Sequence, residues 1–282
     1  MKIIKDPKIM QRIIWNLKSK KKKIGFVPTM GALHEGHLSL VRASRKENDI
    51  TVVSIFVNPA QFGPHEDYRA YPRSFGPDQK KCKAEHVDFI FYPRAQVMYP
   101  AGYATYTYVE GLSEVLCGQK RPGHFKGVAT IVLKLLHIIM PDHVYFGMKD
   151  YQQYIIIKKM AEDLNLGITV IGLPIIRERI GLAMSSRNAY LTREEKEEAT
   201  LLSMALFYAK GLVETGEAQG GKVVKSIYRI LLSGRIIKPR DIDYISIMDS
   251  KTLTELKIVQ KPCVIALAVR IGKARLIDNI IL

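Results

Sequence analysis

Pro28-Thr29-Met30-Gly31-Ala32-Leu33-His34-Glu35-Gly36-His37 lies between an apolar strand pattern, Ile24-Gly25-Phe26-Val27, and a helical pattern from Leu38 to Asn48. Two histidines and two glycines therefore sit where a strand turns into a helix. In an open α/β sheet that place is the carboxyl end of the strands, where ligands bind. Amides at a helix start lack intrahelical partners and favour a phosphate. Gly31 and Gly36 permit close approach of a bulky anion to the backbone. If the helix already includes Leu33 to Leu38, His34 and His37 share a face. An imidazolium there would bond phosphate oxygens and meet negative charge as it develops. By itself an HxxH pair is weak, since histidines in a tight turn are commonly plain polar loop residues. A zinc pair is a second reading, but the HExxH spacing is absent and no nearby cluster supplies a third ligand.

Outward from this turn, strand and helix patterns alternate. Asp6-Pro7 suits a helix start, with Asp as N-cap and Pro in the first turn. Ile9, Met10, Ile13, Ile14 and Leu17 then recur at helical spacing. Ile50 to Val57 is a nearly continuous apolar run, suited to a strand buried on both faces. It ends in Asn58-Pro59-Ala60-Gln61-Phe62-Gly63. A further strand is predicted over 87–92. Alternation across Tyr103 to Val109 suggests an edge strand or ribbon. Arg121-Pro122-Gly123-His124-Phe125-Lys126-Gly127 opens a helix to about Met140, and His143 to Phe146 forms a strand ending in Gly147-Met148-Lys149-Asp150. Ile168 to Ile176 closes the series. Such alternation predicts a parallel, Rossmann-like sheet with helices on both faces. The turns at 28–37, 58–63 and 147–153 should then converge on one sheet edge.

After about residue 176 the pattern changes. Thr192 to Glu195 reads as a capping box before a helix over 194–214. A second helix runs to about Ser233, and strands are expected near Ile242 to Met248, Val264 to Val269 and Ala274 to Ile280. The fold class is thus α/β: a Rossmann-like domain over 1–175 and a smaller α+β domain over 176–282.

Composition sets the remaining bounds. With 282 residues, 47% hydrophobic and 25% charged, the chain has ordinary globular composition. No apolar run approaches membrane-spanning length, and no long apolar leader pattern opens the chain. The cysteines, Cys82, Cys117 and Cys263, are scattered without a CxxC, which fits a reducing, cytoplasmic setting. The net charge of +16 can steer anionic ligands or bind nucleic acid nonspecifically. Its densest run, Lys18 and Lys20 to Lys23, reads as a solvated helix end, because no interleaved aromatics or RNP-like motif accompany it.

Five segments together carry a resemblance: PTMGALHEGH (28–37), SIFVNPAQFGPHEDYRAYPR (54–73), RPGHFKGV (121–128), FGMKDYQQ (146–153) and GLAMSSRN (181–188). In order and spacing the chain resembles the pantoate–β-alanine ligases of the HIGH-signature nucleotidylyltransferase superfamily. The resemblance implies a two-step reaction. Pantoate's carboxylate attacks the α-phosphate of ATP, and the amine of β-alanine then attacks the acyl-adenylate. It implies an ATP-binding set of Met30, Gly31, Ala32, Leu33, His34, Glu35, Gly36, His37, Gly147, Met148, Lys149, Asp150, Ile176, Met184, Ser185, Ser186 and Arg187. Among these His34, His37, Lys149, Ser185, Ser186 and Arg187 are expected to act in catalysis. Gln61 and Gln153 match pantoate-binding glutamines, Gln61, Asn58 and Tyr71 the β-alanine side, and Arg121 an arginine closing over the site. ATP is expected with Mg²⁺ but without a dedicated protein cage for the metal. The family implies a homodimer formed through the N-terminal domain, with no specific nucleic acid and no membrane. The smaller domain is expected to act as a lid bearing the Met184–Arg187 segment.

The chain departs from the family pattern at Met148 (usually Glu), Lys126 (usually Arg), Ile180 (usually Asp) and Ala60 (usually Thr). Lys126 keeps the charge but loses the bidentate fork. Rival readings are a transferase that stops at adenylyl transfer, a nucleic-acid-binding module, and a homologue that binds nucleotide without catalysis. AMP as product separates the ligase from the first rival.

Overall fold

A computed structural model describes residues 1–64 and 66–282; His65, inside the 54–73 motif run, lies outside the described residues. By contact density the chain divides into two compact units. The first comprises Met1–Glu114, Arg121–Met148 and Gln153–Pro174. The second comprises Val115–Lys120, Lys149–Gln152 and Ile175–Leu282.

Through the first part of the chain run β1 (Lys2–Ile4), α1 (Pro7–Ser19), β2 (Ile24–Thr29), α2 (Glu35–Glu47), β3 (Ile50–Ile55), α3 (Phe75–Ala84), β4 (Phe89–Phe91) and α4 (Ala95–Met98). α5 (Cys117–Lys120), α6 (His124–Ile139), β5 (His143–Gly147), α7 (Tyr151–Asp163) and β6 (Thr169–Leu173) follow. The strands form one sheet in the order β1-β4-β3-β2-β5-β6. Every pairing in it is parallel. Chain order runs outward from β2 through β3 to β4, then returns to β5 on the opposite side of β2. The strand order thus reverses between β2 and β5, and at such a switch point the crossover helices part and leave a crevice. The HxxH turn leaves β2 at that place.

Local chemistry accounts for the elements. Asp6 caps α1, its Oδ1 accepting the Ile9 amide at 2.9 Å. Val52, Val53, Phe26, Val27, Ile90, Phe91 and Val144 are fully or nearly fully buried, as a sheet covered on both faces requires. β1 escaped the sequence reading because three residues carry too little periodicity to register.

The expected strand at 103–109 is absent. Its alternating tyrosines pack against α6 and one another instead. Tyr103 meets Tyr99 and Tyr106 edge-on at 5.0 and 5.6 Å, and Lys134 and Lys126 lie over the Tyr103 and Tyr106 rings at 4.1 and 4.5 Å. The Thr107 amide donates to Thr130 Oγ1 at 2.9 Å, which takes a bond that a neighbouring strand would otherwise supply. α2 also starts earlier than the hydrophobic pattern indicates, at Glu35, with His34 as its N-cap.

In the second unit α8 (Arg193–Glu214), α9 (Gly220–Leu231), β7 (Ile242–Asp249), β8 (Cys263–Ile271) and β9 (Ala274–Ile281) follow the expected order. The strands form an antiparallel sheet β7-β8-β9. The Thr192–Glu195 capping box is present, with Glu195 N donating to Thr192 Oγ1 at 3.2 Å and Thr192 N to Glu195 Oε2 at 2.8 Å. Leu202, Leu206, Val223, Ile227, Ile265 and Leu267 belong to the core between helices and sheet.

Candidate active site

The turn after β2 is built by successive backbone bonds. Thr29 Oγ1 donates to the Ser54 carbonyl at 2.7 Å and accepts the Gly31 amide at 3.1 Å. Gly31 and Ala32 then both take positive φ, +85° and +50°. This reversal delivers Leu33 into the core, where it is 2% exposed. The Ala32 and Leu33 amides donate to Asp78 Oδ2 and Oδ1, each at 2.8 Å. The His34 amide donates to His37 Nδ1 at 3.3 Å. The histidine rings lie 4.1 Å apart, centroid to centroid.

This geometry corrects one expectation, that α2 already includes Leu33 to Leu38. The histidines meet as N-cap and third residue of α2, not as neighbours on an established helical face. The amides of Ala32 and Leu33 are held by the Asp78 carboxylate, and those of Glu35 and Gly36 open α2. In a neutral His37 ring whose Nδ1 accepts, the proton is on Nε2, which makes that nitrogen a donor.

After β3, a one-turn 3₁₀ helix, Pro59–Gln61, brings Asn58 and Gln61 to the same sheet edge. Asn58 is 1% exposed. Its Nδ2 donates to Gln61 Oε1 at 3.2 Å and to the Gly127 carbonyl at 3.1 Å. Its Oδ1 accepts from Ala60 N at 3.3 Å and from Tyr99 Oη at 2.8 Å. These bonds occupy both protons and both lone pairs of the amide. Asn58 therefore orients Gln61. Gln61 Nε2 reaches Met30 Sδ at 2.9 Å, which ties this loop to the histidine turn. α6 comes close enough to do this only because residue 127 is glycine: a Cβ there would lie 2.7 Å from the Gln61 amide nitrogen and nearer still to Ala60.

The Gln61 carbonyl is fixed from another side. It accepts from His124 Nδ1 at 2.7 Å and from Arg121 Nη2 at 3.3 Å. Arg121 Nη1, which can only donate, lies 3.0 Å from His124 Nε2. Arg121 also grips Glu66 with two nitrogens, Nε to Oε1 at 2.6 Å and Nη2 to Oε2 at 2.5 Å. Burial works against the Glu66 charge, but the hydrogen bond and charge of Arg121 outweigh it and hold this carboxyl below the ordinary 4.5. Tyr71 is buried at the same loop, with Phe62 edge-on at 5.9 Å. Gln153 lies in the first turn of α7 and is partly buried. Sequence reasoning missed Asp78, Tyr99, Glu66 and His124 as site-supporting groups. Glu66 and His124 stood inside quoted motifs, 54–73 and 121–128, whereas Asp78 and Tyr99 lay outside them.

A cavity of about 420 Å³ borders this turn at Met30 and Gly31. Lys5, Arg73 and Arg94 line it too, while His34, His37 and Gln61 do not.

Gly147 and Met148 belong to the first unit, while the second carries Lys149, Asp150, Ile176 and Met184 to Arg187. Lys149 Nζ lies 3.8 Å from Asp150 Oδ1, and Asn279 Nδ2 donates to the Lys149 carbonyl at 2.9 Å. The segment 176–184 folds back on itself: Met184 N donates to Ile176 O at 2.9 Å and Glu178 N to Leu182 O at 2.8 Å. Arg177 holds Asp278 with two bonds, at 2.6 and 3.0 Å. Ser185 Oγ accepts the Arg187 amide at 3.3 Å and so caps the short turn Ser186–Tyr190. Among the described residues, no group of three or more His, Cys, Asp and Glu side chains is placed to hold a metal ion. Ala60, Met148, Lys126 and Ile180 leave the bonds above intact, and Lys126 serves the tyrosine packing.

A parallel sheet with a histidine-capped helix at its switch point, beside two buried amide side chains, defines an α/β nucleotide-binding enzyme of the HIGH-turn kind. The chain belongs to the pantoate-beta-alanine ligase family, whose model matches residues 2–281. It is 54% identical over 280 residues to the pantothenate synthetase of Sulfurihydrogenibium sp. (strain YO3AOP1), covering 99% of both chains. The crystal structure of pantothenate synthetase from Thermus thermophilus matches with a TM-score of 0.93 at 38% identity, covering 99% of each chain. A pantoate-beta-alanine ligase from Francisella tularensis, complexed with beta-gamma ATP and beta-alanine, matches with a TM-score of 0.81 at 35% identity, covering 100% of this chain and 97% of that one.

Proposed function

We propose that this chain condenses pantoate with β-alanine at the expense of ATP, through pantoyl-adenylate, to give pantothenate, AMP and pyrophosphate. The observation that carries the reading is the His34–His37 capped turn at the switch point, linked through Met30 to the buried Gln61. Such an arrangement can hold a phosphate chain and a small polar acid side by side. Membership of the family supports the same reaction.

In the first step the carboxylate oxygen of pantoate forms a bond to the α-phosphorus, and the bond to the bridging oxygen of pyrophosphate breaks. The Glu35 and Gly36 amides and the His37 Nε2–H meet the phosphate oxygens as charge moves onto the leaving group. In the second step the amine of β-alanine bonds to the acyl carbon and loses a proton, and AMP departs with the acyl–phosphate oxygen. Neither step needs a covalent protein nucleophile; both need alignment. We assign pantoate to Gln61 and Gln153, and β-alanine to the Gln61–Tyr71 side with Asn58 holding Gln61 in place. Lys149, Ser185, Ser186 and Arg187 are assigned to the phosphates, and Gly147, Met148, Asp150, Ile176 and Met184 to the remainder of the nucleotide. Mg²⁺ arrives on the triphosphate, whose oxygens supply most of its ligands. The working protein is proposed to be a cytoplasmic homodimer; among the described residues no helix is long and apolar enough to cross a membrane.

Release of AMP from ATP, with pantoate and β-alanine omitted in turn, tests the reaction. Fast AMP formation only with both acids supports it. A stable adenylylated product, or no pyrophosphate from any mixture, overturns it.

A further inference from the structure

The turn that carries the histidines is clamped from α3, by a group outside every motif considered so far. Asp78 is 1% exposed, and its two oxygens accept the consecutive amides of Ala32 and Leu33 at 2.8 Å each. Ser74 Oγ adds a longer bond to Oδ2 at 3.4 Å. One turn further along the same helix face, Lys81 Nζ donates to the Leu33 carbonyl. The backbone so gripped is the part that pays most in conformation. Ala32 is not glycine, yet its φ is +50°. That left-handed conformation is disfavoured for an L-residue and persists where neighbours impose it. The amides that follow a left-handed residue in such a turn present a concave face to an anion.

We propose that Asp78 is a positioning residue for the adenylation step: its carboxylate occupies the anion position of the Ala32–Leu33 turn and thereby sets the His34 N-cap and the direction of the His37 imidazole. The inference rests on the proposed function, since it concerns where ATP's phosphates are met. Asp78 touches no substrate in this scheme. It acts through the turn. With Ala32 and Leu33 held, His34 enters α2 as an extended N-cap (φ −132°), and its amide is delivered to His37 Nδ1. The next two amides, of Glu35 and Gly36, open α2 on the same turn as the His37 ring. Lys81, at i+3, completes the clamp by holding the carbonyl between those amides and the cap.

The test is Asp78→Asn, which keeps the size but replaces one acceptor oxygen by an NH₂ that opposes a backbone N–H. Pyrophosphate release should fall about tenfold or more in kcat, as for a misaligned reacting group that has lost a charge-assisted bond. The KM for β-alanine should stay within about twofold, because that substrate enters after adenylation. Nitrogen-15 NMR of the histidines reads the clamp without turnover. The wild-type His37 should show an accepting Nδ1 and a protonated Nε2, and Asp78→Asn should shift His37 towards mixed tautomers. Should Asp78→Asn not fold, Lys81→Met decides, with a smaller change expected in the same two readouts. Wild-type kcat per folded molecule together with unmoved His37 signals, in whichever variant folds, overturns the inference. Absence of ATP-dependent AMP formation in the wild type overturns the function instead and leaves the NMR reading standing.

Discussion

The backbone amide of His34 donates to Nδ1 of His37 at 3.3 Å, so the ring of the second histidine caps the helix start at which the first stands. The bond joins fold and chemistry in three residues of chain. It satisfies one of the amides left open at a helix start, and it leaves the opposite ring nitrogen as a donor. Replacing His37 by Ala should lower kcat for pyrophosphate release by about 10²- to 10³-fold, the scale of removing one oriented donor from a developing anion. Loss of the cap should cost only about 1 kcal/mol of stability. Stopped-flow pyrophosphate detection and urea unfolding separate the two effects.

Gly127→Ala would press a methyl group onto the Ala60–Gln61 peptide, where the Asn58 bonds leave no slack. Overpacking of this kind costs about 1–3 kcal/mol. The larger consequence should be a raised KM for pantoate, because the peptide that moves carries Gln61. Steady-state kinetics with pantoate varied at saturating ATP checks this.

The Arg121–Glu66 pair predicts an acid limit. A carboxylate whose folded pKa is depressed adds stability that is complete above its ordinary value, here 4.5, and is lost as pH falls through the lower folded value. Below pH about 4.5 the chain held at Glu66 should therefore lose its anchor progressively, and Glu66→Gln should remove that part of the pH dependence. Limited proteolysis across this pH range, compared between wild type and Glu66→Gln, measures it.

Burial, and after it the charge of Asp78, push the Cys82 thiol up to about 12. Cys117 and Cys263 are also buried and free. A thiol reacts as its thiolate. Native protein at pH 8 should thus show almost no reaction of Cys82 with Ellman's reagent, whereas all the cysteines should react in denaturant. Rapid native labelling of Cys82 would show that α3 opens readily from the turn it clamps.

Much of the molecule follows from local pattern. Asp6-Pro7, the apolar run from Ile50 and the Thr192–Glu195 box each state their own structure, because caps and periodicity are settled within a few residues. The alternation of strands and helices is enough for a parallel sheet, and the five motif segments are enough for the family. Pattern misleads where packing partners are distant. The alternation of Tyr103, Thr105, Thr107 and Val109 looks like a strand until Lys134, Thr130 and Lys126 of α6 are seen to take up its tyrosines and its Thr107 amide.

The sequence by itself determined the fold class, the family, the alternation of strands and helices apart from β1 and the 103–109 segment, and the positions of His34, His37, Gln61 and Arg121 at strand ends or motif turns. Tertiary structure alone decided how those groups are held. Asp78 is 45 residues from Leu33, Gly127 is 69 from Asn58, and Arg121 is 55 from Glu66. A hydrogen bond across such a span leaves no periodic trace in the chain, because its partners are brought together by the packing of α3 and α6 against the sheet edge and not by local conformational preference.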